Sequence, residues 1–144
     1  MIERYESIIV QAVCSAMVPF IQIFAIYVII HGHCGPGGGF QGGVLLAVSI
    51  VLTRLALGKE VSYQKFPPKL AVVLAATGML LYILVGLIPM ATGGLFLDYE
   101  HLPIPWLSGA NLRFVGIFIV ECGIGLAVFG TLVLIFDNLV QGKR

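Results

Sequence analysis

Four long apolar stretches, Ile8–Ile30, Phe40–Leu57, Leu70–Met90 and Leu112–Phe136, dominate the chain, and most polar residues lie between them. A bilayer-spanning helix needs about 20 apolar residues, with about 17 as the lower limit. The second stretch is the short one. Counted from Val44 to Leu57 it has 14 residues, too few to cross a bilayer. Its helix therefore has to start within Pro36–Gly39, with glycines in its first turns; proline suits a first helical position because its missing N–H would be unbonded there anyway. The pattern predicts an all-α polytopic membrane protein of one domain, with four spans over about 8–30, 37–57, 68–90 and 112–136.

Composition agrees with this pattern. Of 144 residues, 59% are hydrophobic and 10% charged, against roughly 25% charged in soluble domains. Mean hydropathy is +1.05. A net charge of +1 on dispersed basic residues gives no ground for nucleic-acid binding. Cys14, Cys34 and Cys122 are odd in number, and their spacing fits neither a disulfide framework nor a zinc site. Met1-Ile2-Glu3-Arg4-Tyr5-Glu6 lacks a basic n-region and a cleavage site, so the first stretch is expected to be a retained span. With both termini in the cytoplasm, Arg4, Arg54, Lys59, Lys65, Lys69, Lys143 and Arg144 fall on the inner side and only Arg113 outside. That asymmetry follows the positive-inside rule. Phe96, Tyr99 and Trp106 in the outer loop suit the interface, where amphipathic aromatics collect.

Polar side chains inside the spans carry the candidate chemistry. Glu121 lies in the middle of the last span, where an ionisable side chain costs about 2.5 kcal/mol or more to insert and so faces protein or water. It admits three readings: a hydrogen-bonded carboxyl joining helices, a station on a proton or cation path, or the partner of a basic group on a neighbouring chain. An apolar setting favours its acid form and a nearby cation its anion. A group held between the two can exchange a proton for a metal cation. Gly116, Gly123 and Gly130 recur every seven residues and line one side of the same helix, a stripe that lets another backbone come close. Glu121 points about 160° away from Gly123. Arg113, eight residues from Glu121, is too distant to pair with it and is expected to snorkel outward. Gln11, Ser15 and Gln22 fall within about 40° on the first helix, beside Pro19, and form either interhelical glue or the wall of a hydrated path. Ser49 and Thr53 read as packing residues.

The turn between the first two spans runs Gly32-His33-Cys34-Gly35-Pro36-Gly37-Gly38-Gly39-Phe40-Gln41-Gly42-Gly43. It serves as a close-packing device, as a set of free helix N–H groups holding an anion or water, or as a movable broken element beside a conduction path. His33 titrates in the range useful for a proton relay. His31, His33 and Cys34 form one tight group without distant ligands, so no metal site is assigned. No Gly-Lys-Ser/Thr ending follows, which excludes a phosphate loop.

That string resembles the signature of the MnhB-type subunit of multisubunit Na+/H+ antiporters (the Mrp or Mnh systems), in which a first helix leads into Gly-His-Asn-x-Pro-Gly-Gly-Gly-Phe-x-Gly-Gly. Cys34 stands where the family has asparagine. Glu121-Cys122-Gly123 is similar to the acidic site in the family's last helix, and length, span number and short tails match as well. The resemblance makes Gly32, His33, Pro36, Gly37, Gly38, Gly39, Phe40, Gln41 and Gly43 a structural signature. It implies a small non-catalytic subunit of a hetero-oligomeric plasma-membrane assembly exchanging Na+ for H+. Similar subunits occur in archaeal membrane-bound hydrogenases, formate hydrogenlyases and sulfur-reducing complexes, and Glu3–Gln11 and Gly93–Asp98 look more like those forms. Glu121, His33 and Gln22 are the ion or proton pathway candidates. No metal set, nucleotide loop or nucleophile–base pair is present in the sequence, so neither a cofactor nor catalysis by the chain alone is expected. Two other functions remain open: a self-contained homodimeric transporter using Glu121, and a purely structural adaptor.

Overall fold

A computed structural model describes residues 7–32 and 37–141. Among them are four long helices, α1 Ile8–Ile30, α2 Gly39–Lys65, α3 Pro68–Ala91 and α4 Gly109–Gln141. Each is long and apolar enough to cross a membrane, and no strand occurs among the described residues. Bilayer spanning explains why so many large apolar side chains, Phe20, Phe24 and Leu139 among them, stay exposed.

The helices pack in the order α1–α2–α4–α3, a row and not a closed square. Both ends of the row therefore present one uncovered helix, and α1 buries only Gln11 and Ala25. Apolar burial cannot drive helices together in lipid, so contact depends on close approach of small residues. Gly78 of α3 meets the Gly123 carbonyl and the backbone of Ala127, while Gly130 of α4 meets Ala71 and Ala75. On the other side of α4, Gly43 of α2 lies against the Gly125 carbonyl. Gly42 faces α1, where a Cβ would stand 2.8 Å from the Ala25 carbonyl oxygen. Glycines thus seat α2 between its two neighbours.

Two helices depart from the expected bounds. Helix α2 starts at Gly39 rather than 37, and it does not stop at Leu57. It breaks direction at Gly58 (φ 81°, ψ 170°), a region open essentially only to glycine, and then continues to Lys65. The straight part, Gly39–Leu57, is about 28 Å long, close to the thickness of the hydrocarbon core. The polar stretch after Gly58, expected as loop, is helical and packs under the bundle through Ser62 and Phe66. Helix α4 is 33 residues long, about 50 Å, and so overruns the bilayer at its ends. The loop between α3 and α4 folds back onto them: Leu102 joins Val85, Leu112 and Val120 in one buried cluster, with Tyr99 and Leu107 packed against it.

Candidate functional site

The glycine turn and the membrane carboxylate meet. Gly39, the first residue of α2, sits directly on the Glu121 carbonyl. A Cβ on Gly38 would lie 3.2 Å from Glu121 Oε1, and one on Gly32 would lie 2.7 Å from Oε2 and collide with the Gly38 Cα. Gly38 adopts φ 96° and ψ -171°, a backbone that requires glycine. The turn therefore needs glycine at these positions for two reasons, chain conformation and room for the carboxyl group. Oε2 is buried with no hydrogen-bond partner among the described residues. The N–H of Gly38 is already committed to the Val28 carbonyl at 3.3 Å. Because α2 begins here, the positive end of its dipole lies beside the carboxyl group.

The α3–α4 loop closes the site from above. Tyr99, in the short 3-10 turn Tyr99–His101, packs its ring on Gly116, the first glycine of the α4 stripe. Burial, first, and then the charges of Tyr82 and Glu121 push the Tyr99 phenol above its ordinary pKa of 10.0. Tyr99 is thus within electrostatic reach of both Tyr82 and Glu121, and Phe96 fills the space over Gly86 with its edge towards Tyr82. The glycines at 116, 123 and 130 face the loop and α3, while Glu121 faces the α1–α2 turn.

Other candidates separate from this site. Gln22 donates to Ser49 Oγ at 3.3 Å between α1 and α2, and Ser49 in turn donates to the Leu46 carbonyl at 2.7 Å. Phe40 and Gln41 are exposed on the outer surface of α2. His33 and Pro36 lie outside the described residues. Arg113 does not stand alone but pairs with Glu100 of the loop, both half exposed.

One pair is invisible to sequence reasoning. Arg54, by sequence no more than an inner-side charge, is fully buried in α2 and pairs with Asp137 of α4, itself 3% exposed. Arg54 also donates to the Phe66 carbonyl at 3.4 Å, and its guanidinium carbon lies 4.7 Å from the Tyr63 ring centre. The available signal was two opposite charges at matching depths near the same end of two spans.

Known proteins share this architecture. Residues 9–134 match the family model described as a domain related to the MnhB subunit of Na+/H+ antiporters. The B-type Na+/H+ antiporter subunit of Bacillus subtilis is 31% identical over 137 residues, covering 90% of this chain and 95% of that protein. A putative antiporter subunit mnhB2 of Staphylococcus saprophyticus is 30% identical over 142 residues, covering 97% and 99%. Among solved structures, a chain of the membrane-bound sulfane sulfur reductase, an archaeal respiratory membrane complex, superposes with a TM-score of 0.75 at 30% identity. That match covers 96% of this chain but 60% of the other. With four spans and a family model matched over most of its length, the chain is a multi-pass plasma-membrane protein that belongs to the family related to the MnhB subunit of Na+/H+ antiporters.

Proposed function

We propose that this chain is a non-catalytic subunit of a Na+/H+ antiporter module, with Glu121 serving as a station for protons or Na+ within the membrane. The single observation that carries this reading is the Glu121 carboxyl group, enclosed by the glycine turn with Oε2 unpartnered among the described residues. A carboxyl group kept only to join helices would have its oxygens satisfied by a neighbour. Here the turn leaves room beside the oxygens, and the positive end of α2 offsets part of the cost of a negative charge. Both chain ends face the cytoplasm on the positive-inside argument.

The open row of helices supports a place inside a larger assembly. Both α1 and α3 show broad apolar faces that lipid and sister subunits would cover. The parent complex is either a free-standing antiporter or an ion-pumping respiratory complex, the two settings in which the similar proteins occur. Isolation in mild detergent tests the assembly: larger membrane subunits should copurify, whereas a clean homodimer would refute it. Glu121→Gln tests the site. Na+-dependent proton flux should fall to the level of a complex lacking this subunit, with assembly intact; unchanged flux would leave only an adaptor role.

A further inference from the structure

The end of the bundle away from the glycine turn holds a second polar feature. A cavity of about 300 Å³ lies between α1 and α2, walled by Cys14, Ser15 and Gln22 on one side and Thr53 on the other, with Ser62 and Lys65 at its floor. The floor exists because α2 turns at Gly58 and brings its last turns beneath the gap. Most of the α1 polar stripe is thus accounted for by one space.

Ser62 is 1% exposed, and its Oγ has no hydrogen-bond partner among the described residues. A buried hydroxyl in that condition costs about 1–3 kcal/mol unless water satisfies it. Phe66, which also lines the cavity, accepts a hydrogen bond from the buried Arg54 through its carbonyl. Arg54 Nε and Asp137 Oδ2 are likewise buried without partners among the described residues. Several orphaned polar atoms therefore cluster around and behind this space, the condition under which interior water is retained.

We propose that the cavity is a water-filled inlet, open on the side of Lys65 and reaching the level of the Gln22–Ser49 hydrogen bond. Gln22 lies about 21 Å along α1 from Ile8, so the inlet extends to about the middle of the membrane. It takes water and not a metal cation. No carboxylate lines it, and the ammonium of Lys65 stands at its rim. This inlet is independent of any exchange at Glu121, and a failure of either leaves the other standing.

Cys14 supplies the probe, because thiol-specific reagents attack the thiolate, which forms in water and not in hydrocarbon. The whole membrane complex, carrying Cys34→Ser and Cys122→Ser, is exposed in sealed vesicles to the impermeant reagent sulfonatoethyl methanethiosulfonate. Cys14 should react completely from the face that bears the α2–α3 connection and not from the opposite face. Thr53→Cys in a Cys14→Ser background, across the cavity, should behave the same way, and the outward-facing Phe24→Cys should not react. The inlet is overturned if Cys14 and Thr53→Cys react only with a membrane-permeant maleimide, since acyl chains then fill the space. Reaction only after denaturation would overturn it too, with a neighbouring protein chain as the occupant.

Discussion

Replacing Asp137 by alanine strands the guanidinium of Arg54 inside the protein. The Arg54 side chain is 0% exposed, and its remaining contacts are the Phe66 carbonyl at 3.4 Å and the Tyr63 ring at 4.7 Å. Neither neutralises a charge. Removing one member of a buried ion pair costs about 3–5 kcal/mol, and a ring face returns about 0.5–2 kcal/mol. Since Tyr63 is already in place in the native protein, the expected loss is the full range, about 3–5 kcal/mol. Thermal denaturation of the detergent-solubilised complex, with the amount of this subunit retained in membranes, reads that loss. Removing both charges with Arg54→Met and Asp137→Leu should recover most of it, because an apolar pair of similar volume carries no desolvation penalty. The reasoning fails if Asp137→Ala behaves as wild type, or if the double variant is as unstable as the single one.

Other substitutions separate local effects from the site. Arg113→Gln breaks only the half-exposed pair with Glu100 and should change stability by less than about 1 kcal/mol in the same denaturation assay. Gly38→Ala forces a side chain into a glycine-only backbone, a cost of about 1–3 kcal/mol. Its Cβ would also stand 3.2 Å from Glu121 Oε1, so Na+-dependent proton flux should drop along with melting temperature. Gly130→Ala places a Cβ 2.6 Å from the Ala75 nitrogen and should loosen the α3–α4 contact by about 1–3 kcal/mol without touching Glu121. The Tyr99 phenol should ionise above 10.0 in an ultraviolet titration. Its raised folded pKa means the folded state holds the proton more tightly, so this contribution to stability is lost as pH rises past the ordinary value.

The sequence was most legible where a single helix decides the matter. Span number follows from hydropathy and length, because the bilayer fixes how much apolar chain a helix must present. The Gly116/Gly123/Gly130 periodicity and the opposed direction of Glu121 follow from helix geometry alone. What could not be read was contact between helices. Nothing local says that α4 lies between α2 and α3, so nothing local says that Gly32, Gly38 and Gly39 form the cradle of Glu121. The Arg54–Asp137 pair was hidden for the same reason, since each charge lies near the end of its span and reads alone as an interfacial residue. Gly58 misled in another way. A glycine followed by Lys59 and Glu60 reads as a loop, whereas its left-handed backbone redirects a helix that continues.

Carbodiimide chemistry tests the enclosed carboxyl group most directly. Dicyclohexylcarbodiimide enters membranes and modifies carboxyl groups in their acid form, so a Glu121 that trades a proton for Na+ should be modified in the intact complex and protected as Na+ is added. Mass spectrometry of the isolated subunit locates the adduct, and Glu121→Gln provides the blank. Modification at Glu121 that slows with Na+ but not with an equal concentration of a bulky organic cation is the predicted result. A rate indifferent to Na+, or a Glu121 that never reacts in the folded complex, would contradict the account.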